Sequence, residues 1–222
     1  YNDFEYITHT PKVSFWRAMT DNDTGASEPY NLAQWYTAGK FAKYKTVSWL
    51  EQEDALKITF TYQAACVPTF EFTVTYTAHF DGKLDVCVNY AGVSGMPDMP
   101  VLALDFKMKK QLCSFRYYGL GPDENYSDRC KGARLGLWKS TAKENLSGYL
   151  NPQECGNRTG VRTLSIHDDM QHGLTFQKAS APFEMSVLPY SAYELENAMH
   201  LDELPSVRYT WVRIAAKQMG VG

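Results

Sequence analysis

Residues 56–62 read Leu-Lys-Ile-Thr-Phe-Thr-Tyr, and apolar and polar side chains alternate through them without a break. Successive side chains of a strand point to opposite faces of a sheet, so this pattern places Leu56, Ile58, Phe60 and Tyr62 on one face and the polar residues on the other. The pattern repeats in Phe70, Phe72, Val74 and Tyr76, in Leu84, Val86, Val88 and Tyr90, and in Leu102, Leu104, Phe106 and Met108. Asp81-Gly82 sits between two of these runs, where a glycine that takes positive φ closes a tight hairpin. Met96-Pro97-Asp98-Met99-Pro100 then interrupts the alternation before the next run. The expected fold class is all-β, an antiparallel two-layer sandwich.

Working outward, further short strands are expected over 161–167, 173–176, 183–188 and 208–215, separated by polar loops. Two short helices are expected. One covers about Asn31 to Ala38 and stops at Gly39 as its C′ residue. The other begins at Ser191, with Glu194 three positions on as a capping box. The 222 residues contain no repeat or linker and read as one domain. The net charge of -3 and the lack of a dense Lys/Arg run argue against nucleic acid as a partner. No apolar stretch reaches the roughly 20 residues of a membrane span, and the opening YNDFEYITHT resembles the interior of a longer chain. The five cysteines form no CxxC pair, and reduced thiols in the core are expected.

No GxSxG or HExxH is present, and the GxG of Gly119 and Gly121 is followed by Pro122. The HDDMQHG stretch (167–173) reads as a polar turn, so no metal site is expected. Three polar clusters stand out. FWRAMTDNDTG (15–25) carries Trp16, Arg17, Asp21, Asn22 and Asp23, short polar residues that can hold a tight loop, with Gly25 free to take unusual dihedrals. YYGLGPDENYSDR (117–129) carries Glu124, Asn125, Asp128 and Arg129, and NPQECGNR (151–158) carries Gln153, Glu154, Asn157 and Arg158. Carboxylates, amides, arginines and aromatics are what sugar hydroxyls require, and they equally make a self-satisfied buried network. Both readings stay open. No two carboxylates can be paired from sequence as a glycosidase pair, so no catalytic residue is assigned.

These clusters, in this order, resemble the C-terminal domain of the large β-galactosidases of glycoside hydrolase family 2. The family pattern is FWRAxxDND then G, YxGxGPxENYxDR, PQExGNR and a final KQMGVGGDxSW. The last reads KQMGVG at 217–222, so the chain is expected to be cut just before the GDxSW stretch. LPYSAYELENAMH (188–200) matches as well, and the resemblance runs from about Phe15 to Gly222. Met19 and Cys155 depart from the usual proline and asparagine.

The resemblance implies a galactose-mutarotase-like supersandwich and a bacterial, cytoplasmic parent enzyme, a homo-oligomer that hydrolyses terminal β-D-galactosides such as lactose with retention. It further implies that the catalytic glutamates, Mg²⁺ and Na⁺ belong to other domains of that parent, and that no cofactor binds here. Gly25, Ser27 and Glu28 would then lie on a loop at the rim of the substrate pocket, and the piece alone would be inactive. Two other classes are weighed: a free-standing aldose mutarotase, for which no acid and base pair can be nominated, and a carbohydrate-binding module using Trp35 or Trp138.

Overall fold

The structure is a computed structural model that describes residues 3–222. It is mostly β, with antiparallel strand pairs throughout its three sheets. Two compact units share the chain: one holds the residues up to Tyr30 together with Pro100–Gly222, the other Asn31–Met99.

The second unit contains the stretch from which the fold was read. Its strands β2 (Lys43–Glu51), β3 (Ala55–Gln63), β4 (Glu71–His79) and β5 (Leu84–Tyr90) form a sheet in sequence order. The expected alternation is seen in the register, where Phe60 lies between Val47 and Val74, and Val74 in turn faces Val88. Gly82 has φ +89°, as the Asp81-Gly82 hairpin requires. Helix α3 (Ala33–Lys40) buries Trp35 and Ala38. The Trp35 ring meets Phe70 and Tyr90, and its Nε1 donates to the Pro97 carbonyl over 3.1 Å. This helix starts two residues later than expected and runs through Gly39, ending at Phe41 as the C-cap residue. Gly39 therefore continues the helix, because Phe41 N–H caps it through the Thr37 and Gly39 carbonyls.

The first unit holds two sheets. One has strand order β1 (Ile7–Ser14), β6 (Val101–Lys109), β13 (Tyr209–Gln218), β12 (Phe183–Leu188), β9 (Arg158–Val161). The other has β11 (Gly173–Gln177), β10 (Thr163–His167), β7 (Ser114–Gly121), β8 (Arg134–Thr141). The strand expected over 161–167 is two strands, because Arg162 turns to hydrogen-bond Tyr118 and leaves β9 and β10 in different sheets. Apolar faces meet where Phe106 of the first sheet packs edge-on against Phe176 of the second, with ring centroids 5.0 Å apart. Met108, Phe115, Leu164, Ile166, Met185, Val187 and Val212 around them are essentially inaccessible.

Helix α4 (Ala192–Asn197) starts where the sequence placed it. Ser191 Oγ accepts from Glu194 N–H, and the Glu194 carboxylate accepts from Ser191 N–H. The helix buries Leu195 against Ala18, Cys155 and Leu188. Three helical segments among the described residues were not anticipated: α1 (Asp21–Gly25), α2 (Glu28–Asn31) and a 3-10 turn over Leu201–Glu203. The cysteines are all free, but only Cys155 is buried and Cys87 is exposed, so core placement holds for one thiol. Cys87 pairs with Thr75 on the polar face of its sheet, the face its position in the alternation assigns it.

A Cβ added at Gly121 would overlap the Tyr117 hydroxyl and stand 2.8 Å from the Trp138 ring. Gly121→Ala is expected to destabilise the chain by about 1–3 kcal/mol through overpacking, read as a lower urea midpoint.

Candidate functional site: a buried polar network

Residues 13–20, the end of β1 and the stretch after it, enter the interior of the first unit and are all buried. Arg17 is fully buried and grips Asp23 with both terminal nitrogens, Nη1 to Oδ2 at 2.6 Å and Nη2 to Oδ1 at 3.1 Å. The same nitrogens donate to the carbonyls of Ala18 (3.1 Å) and Gly220 (2.7 Å). Planar, two-pronged pairing of this kind is what arginine supplies and lysine cannot. The DND stretch is a short helix, correcting the expected loop. Thr20 caps it, accepting from Asp23 N–H, while Asp23 Oδ2 accepts from Thr20 N–H (2.7 Å) and the Thr20 hydroxyl (2.9 Å). Gly25 has no positive φ and its missing Cβ faces open space; the left-handed residue is Ser27, at φ +63°.

Glu124 follows β7. Its carboxylate accepts from Arg129 Nη2 (2.5 Å), Gly156 N–H (2.7 Å), the Tyr149 hydroxyl (2.7 Å) and the Ser147 hydroxyl (2.8 Å). Asn125 uses both ends of its amide: Nδ2 donates to the carbonyls of Leu120 and Asp123, and Oδ1 accepts from the N–H and hydroxyl of Thr159. Asn157 Nδ2 bridges the Asn125 carbonyl and Glu184, both at 3.0 Å. Arg158 Nε donates to the Tyr117 hydroxyl and the Pro122 carbonyl, both at 3.0 Å. Gln153 joins the third cluster to the first, donating to Asp21 Oδ2 (3.1 Å) and accepting from Asp21 N–H (3.2 Å).

The clusters also converge on the last residues of β13 and beyond. Gln218 Nε2 donates to Glu154 at 2.9 Å. Arg17 holds the Gly220 carbonyl, and Asn22 Nδ2 the Val221 carbonyl at 3.0 Å. Asp128 Oδ2 accepts from the N–H groups of Val221 (2.9 Å) and Gly222 (2.8 Å). Gly220 lies so close to the Asp128 carboxylate that a Cβ there would stand 2.5 Å from its carbon. Arg17 and Asn22 of the first motif and Asp128 of the second thus hold the backbone of 220–222.

Several members had no signal beyond their place in a strand. Arg213 pairs bidentately with Asp105 (2.7 and 2.9 Å), donates to the Trp16 carbonyl at 3.0 Å, and comes within 3.9 Å of Glu154. Both are charges within apolar runs, on the face opposite Phe106 and Val212, so a matched pair on neighbouring strands was the only available clue. Glu196 of α4 accepts from Met19 N–H at 2.7 Å. Asp105, Glu154, Arg213, Tyr190 and Trp211 line a small, half-open crevice of about 20 Å³. Of the remaining expected residues, Trp16 is buried in the core, Gly25, Ser27 and Asp21 are exposed, and Glu28 is half-buried at the start of α2. Trp35 is buried and Trp138 half-buried, with its Nε1 on the Gly119 carbonyl. His172 stacks on Phe4 and pairs with Asp168, whose carboxylate also accepts from Met170 and His172 N–H and so builds the expected turn.

Burial works to raise the Asp23 pKa, but its Arg17 and Thr20 partners outweigh it and hold the carboxyl below its ordinary value. The same balance lowers Glu124 through Gly156, Tyr149, Ser147 and Arg129. Glu154 is the opposite case: burial raises it, and Arg213 and Arg17 offset only part of the effect. Burial pushes the Cys155 thiol up to about 12.

A carboxyl whose folded pKa is lowered contributes stability at pH above its unfolded pKa, and loses it as pH falls through the folded value. Stability should therefore fall with acidification below the ordinary values of 3.8 for Asp23 and 4.5 for Glu124. Asp23→Asn leaves Arg17 buried without its counter-charge, and is expected to cost about 3–5 kcal/mol at pH 7 with a shallower acid limb, both read from urea unfolding across pH.

A family profile described as Beta galactosidase small chain matches residues 1–222. The β-galactosidase of Streptococcus thermophilus is 38% identical over 222 residues, covering 100% of this chain and 22% of that protein. That of Halalkalibacterium halodurans is 42% identical over 221 residues, covering 98% of this chain and again 22% of the relative. A "Beta-galactosidase small subunit" from Latilactobacillus sakei is 33% identical over 248 residues, covering 98% of this chain and 77% of that protein. The chain therefore spans about a fifth of the two long relatives and most of the short one, and the same polar clusters that converge on residues 220–222 lie within the matched region. With the whole chain matched in this way, it belongs to the β-galactosidase small-chain family.

Proposed function

We propose that this chain is the structural small-chain part of a β-galactosidase acting on terminal β-D-galactosides, and that the bond-breaking groups lie in other parts of the parent enzyme. The whole-chain family match carries this reading, together with its short span of the long relatives. The chemistry of the carboxylates supports it. A general acid in a glycosidase needs a raised pKa and a free proton-transfer path. Glu124 has the reverse, with four donors holding its charge, and Glu154, though raised by burial and at the crevice wall, is only 5% exposed and is engaged by Gln218 and Tyr126 beside Arg213. Mg²⁺ and Na⁺, in this reading, are bound by the rest of the parent, and the parent is a homo-oligomer. No described helix is long and apolar enough to cross a membrane.

Within that role, the first two motifs, braced by Gln153 of the third, act as a clamp on residues 220–222, and the segment of Gly25, Ser27 and half-buried Glu28 edges the galactoside pocket of the intact enzyme. The mutarotase and binding-module readings have less behind them. Trp35 is in the core, and the relatives are β-galactosidases.

The 222-residue chain alone is expected to leave nitrophenyl β-galactoside unhydrolysed; turnover by a preparation free of host enzyme would refute the proposal. In the intact enzyme, Asp128→Ala removes two charge-assisted hydrogen bonds and should lower activity with little loss of thermal stability, while Glu28→Ala should raise KM more than it lowers kcat. Unchanged kinetics in either variant would remove the clamp or the rim assignment respectively.

A further inference from the structure

Every residue of β2 is exposed, and three of its large side chains share one face of the sheet: Tyr44 (57% exposed), Val47 (37%) and Trp49 (69%). The spacing from Tyr44 to Val47 is three, which in a regular strand would put them on opposite sides. A bulge at Lys45 restores the parity, so that Tyr44 faces Tyr62, Val47 faces Phe60, and Trp49 faces Ile58. Tyr44 and Tyr62 meet edge-on at 6.4 Å. The result is a continuous apolar strip of Tyr, Val and Trp backed by half-buried Ile58, Phe60 and Tyr62. Lys43, Lys45 and Glu51 stand at its margins, with Lys45 paired to Glu71.

Single exposed apolar side chains are ordinary, but a contiguous aromatic strip with a charged margin has the make-up of an interface centre and rim. The bulge and the lysines on β2 discourage addition of another strand to its open edge, which leaves the side-chain face as the contact. The chain spans only 22% of the long relatives, so the greater part of those polypeptides lies outside it, whereas the Latilactobacillus sakei relative is a small subunit of similar extent. The geometry points to the Tyr44–Val47–Trp49 strip as the surface on which an apolar patch of the remaining β-galactosidase polypeptide docks. This rests on the small-chain reading above and adds to it the face that is used.

Hydroxyl-radical footprinting of the intact parent enzyme tests the assignment without altering the protein. Trp49 and Met170 are similarly exposed in this chain, at 69% and 78%. Corrected for intrinsic reactivity, Trp49 is expected to label about fivefold more slowly than the fastest of Phe80, Leu137 and Met170, as a residue at a buried interface centre would. Labelling of Trp49 at the reference rate overturns the proposal. So does protection that disappears when the enzyme dissociates into monomers, since the occupant is then a second copy. Trp49→Lys should lower the thermal midpoint of the intact enzyme and Ser48→Lys, on the other face of the same strand, should not; equal effects also overturn it. Hydrolysis of nitrophenyl β-galactoside by the same sample separates the two levels. An active enzyme with a freely labelled Trp49 sinks the docking face alone, while an inactive one sinks the small-chain reading beneath it.

Discussion

A guanidinium taken out of water must find acceptors for its N–H groups or it destabilises the fold that buries it. Arg17 meets most of that demand through its two terminal nitrogens, which reach two carboxylate oxygens of Asp23 and the carbonyls of Ala18 and Gly220, while its buried Nε is left without an acceptor. Much of the first unit is arranged around this demand. Asp23 can face Arg17 only because Thr20 starts a helical turn between them, and Gly220 can do so only because β13 delivers it to the end of the sheet. Arg213 poses the same problem one strand over, and Asp105 and the Trp16 carbonyl answer it. The two arginines therefore tie residues 14–23 to both β6 and the far end of β13.

Charge placement within this network is uneven, and the unevenness separates two kinds of carboxylate. Asp23 and Glu124 are surrounded by donors and favour the ionised form. Glu154 and Glu184 have fewer donors, Glu154 is also the most deeply buried of the four, and burial raises both. Protonating the first pair weakens the fold and protonating the second relieves it, so the acid limb of stability is a contest between neighbours in one network.

Legibility followed regularity. The strands β3 to β6 alternate strictly, and the sequence displays them openly; β2 does not, because the bulge at Lys45 shifts the phase between Tyr44 and Val47 and hides a strand that pairs along its length. The short helix α1 was obscured for a related reason. Its capping box closes with Asp23 where Glu or Gln is usual, so Thr20-Asp21-Asn22-Asp23 resembles a polar turn. The motifs could be recognised as groups, and their internal bonds, such as Arg17 to Asp23, span a few residues. Their long-range partners could not: Asp128 reaches the amides of 221 and 222 across more than ninety residues, and nothing in either segment names the other.

The position of β13 gives the grip on residues 220–222 a mechanical side. That strand lies between β6 and β12, in the interior of its sheet, and leaves it directly into the hold of Arg17, Asn22 and Asp128. Tension applied at Gly222 would load those side-chain contacts first and only then shear the two ladders flanking β13. The contacts behave as strain relief on a cable, sparing the sheet from being unzipped from its end.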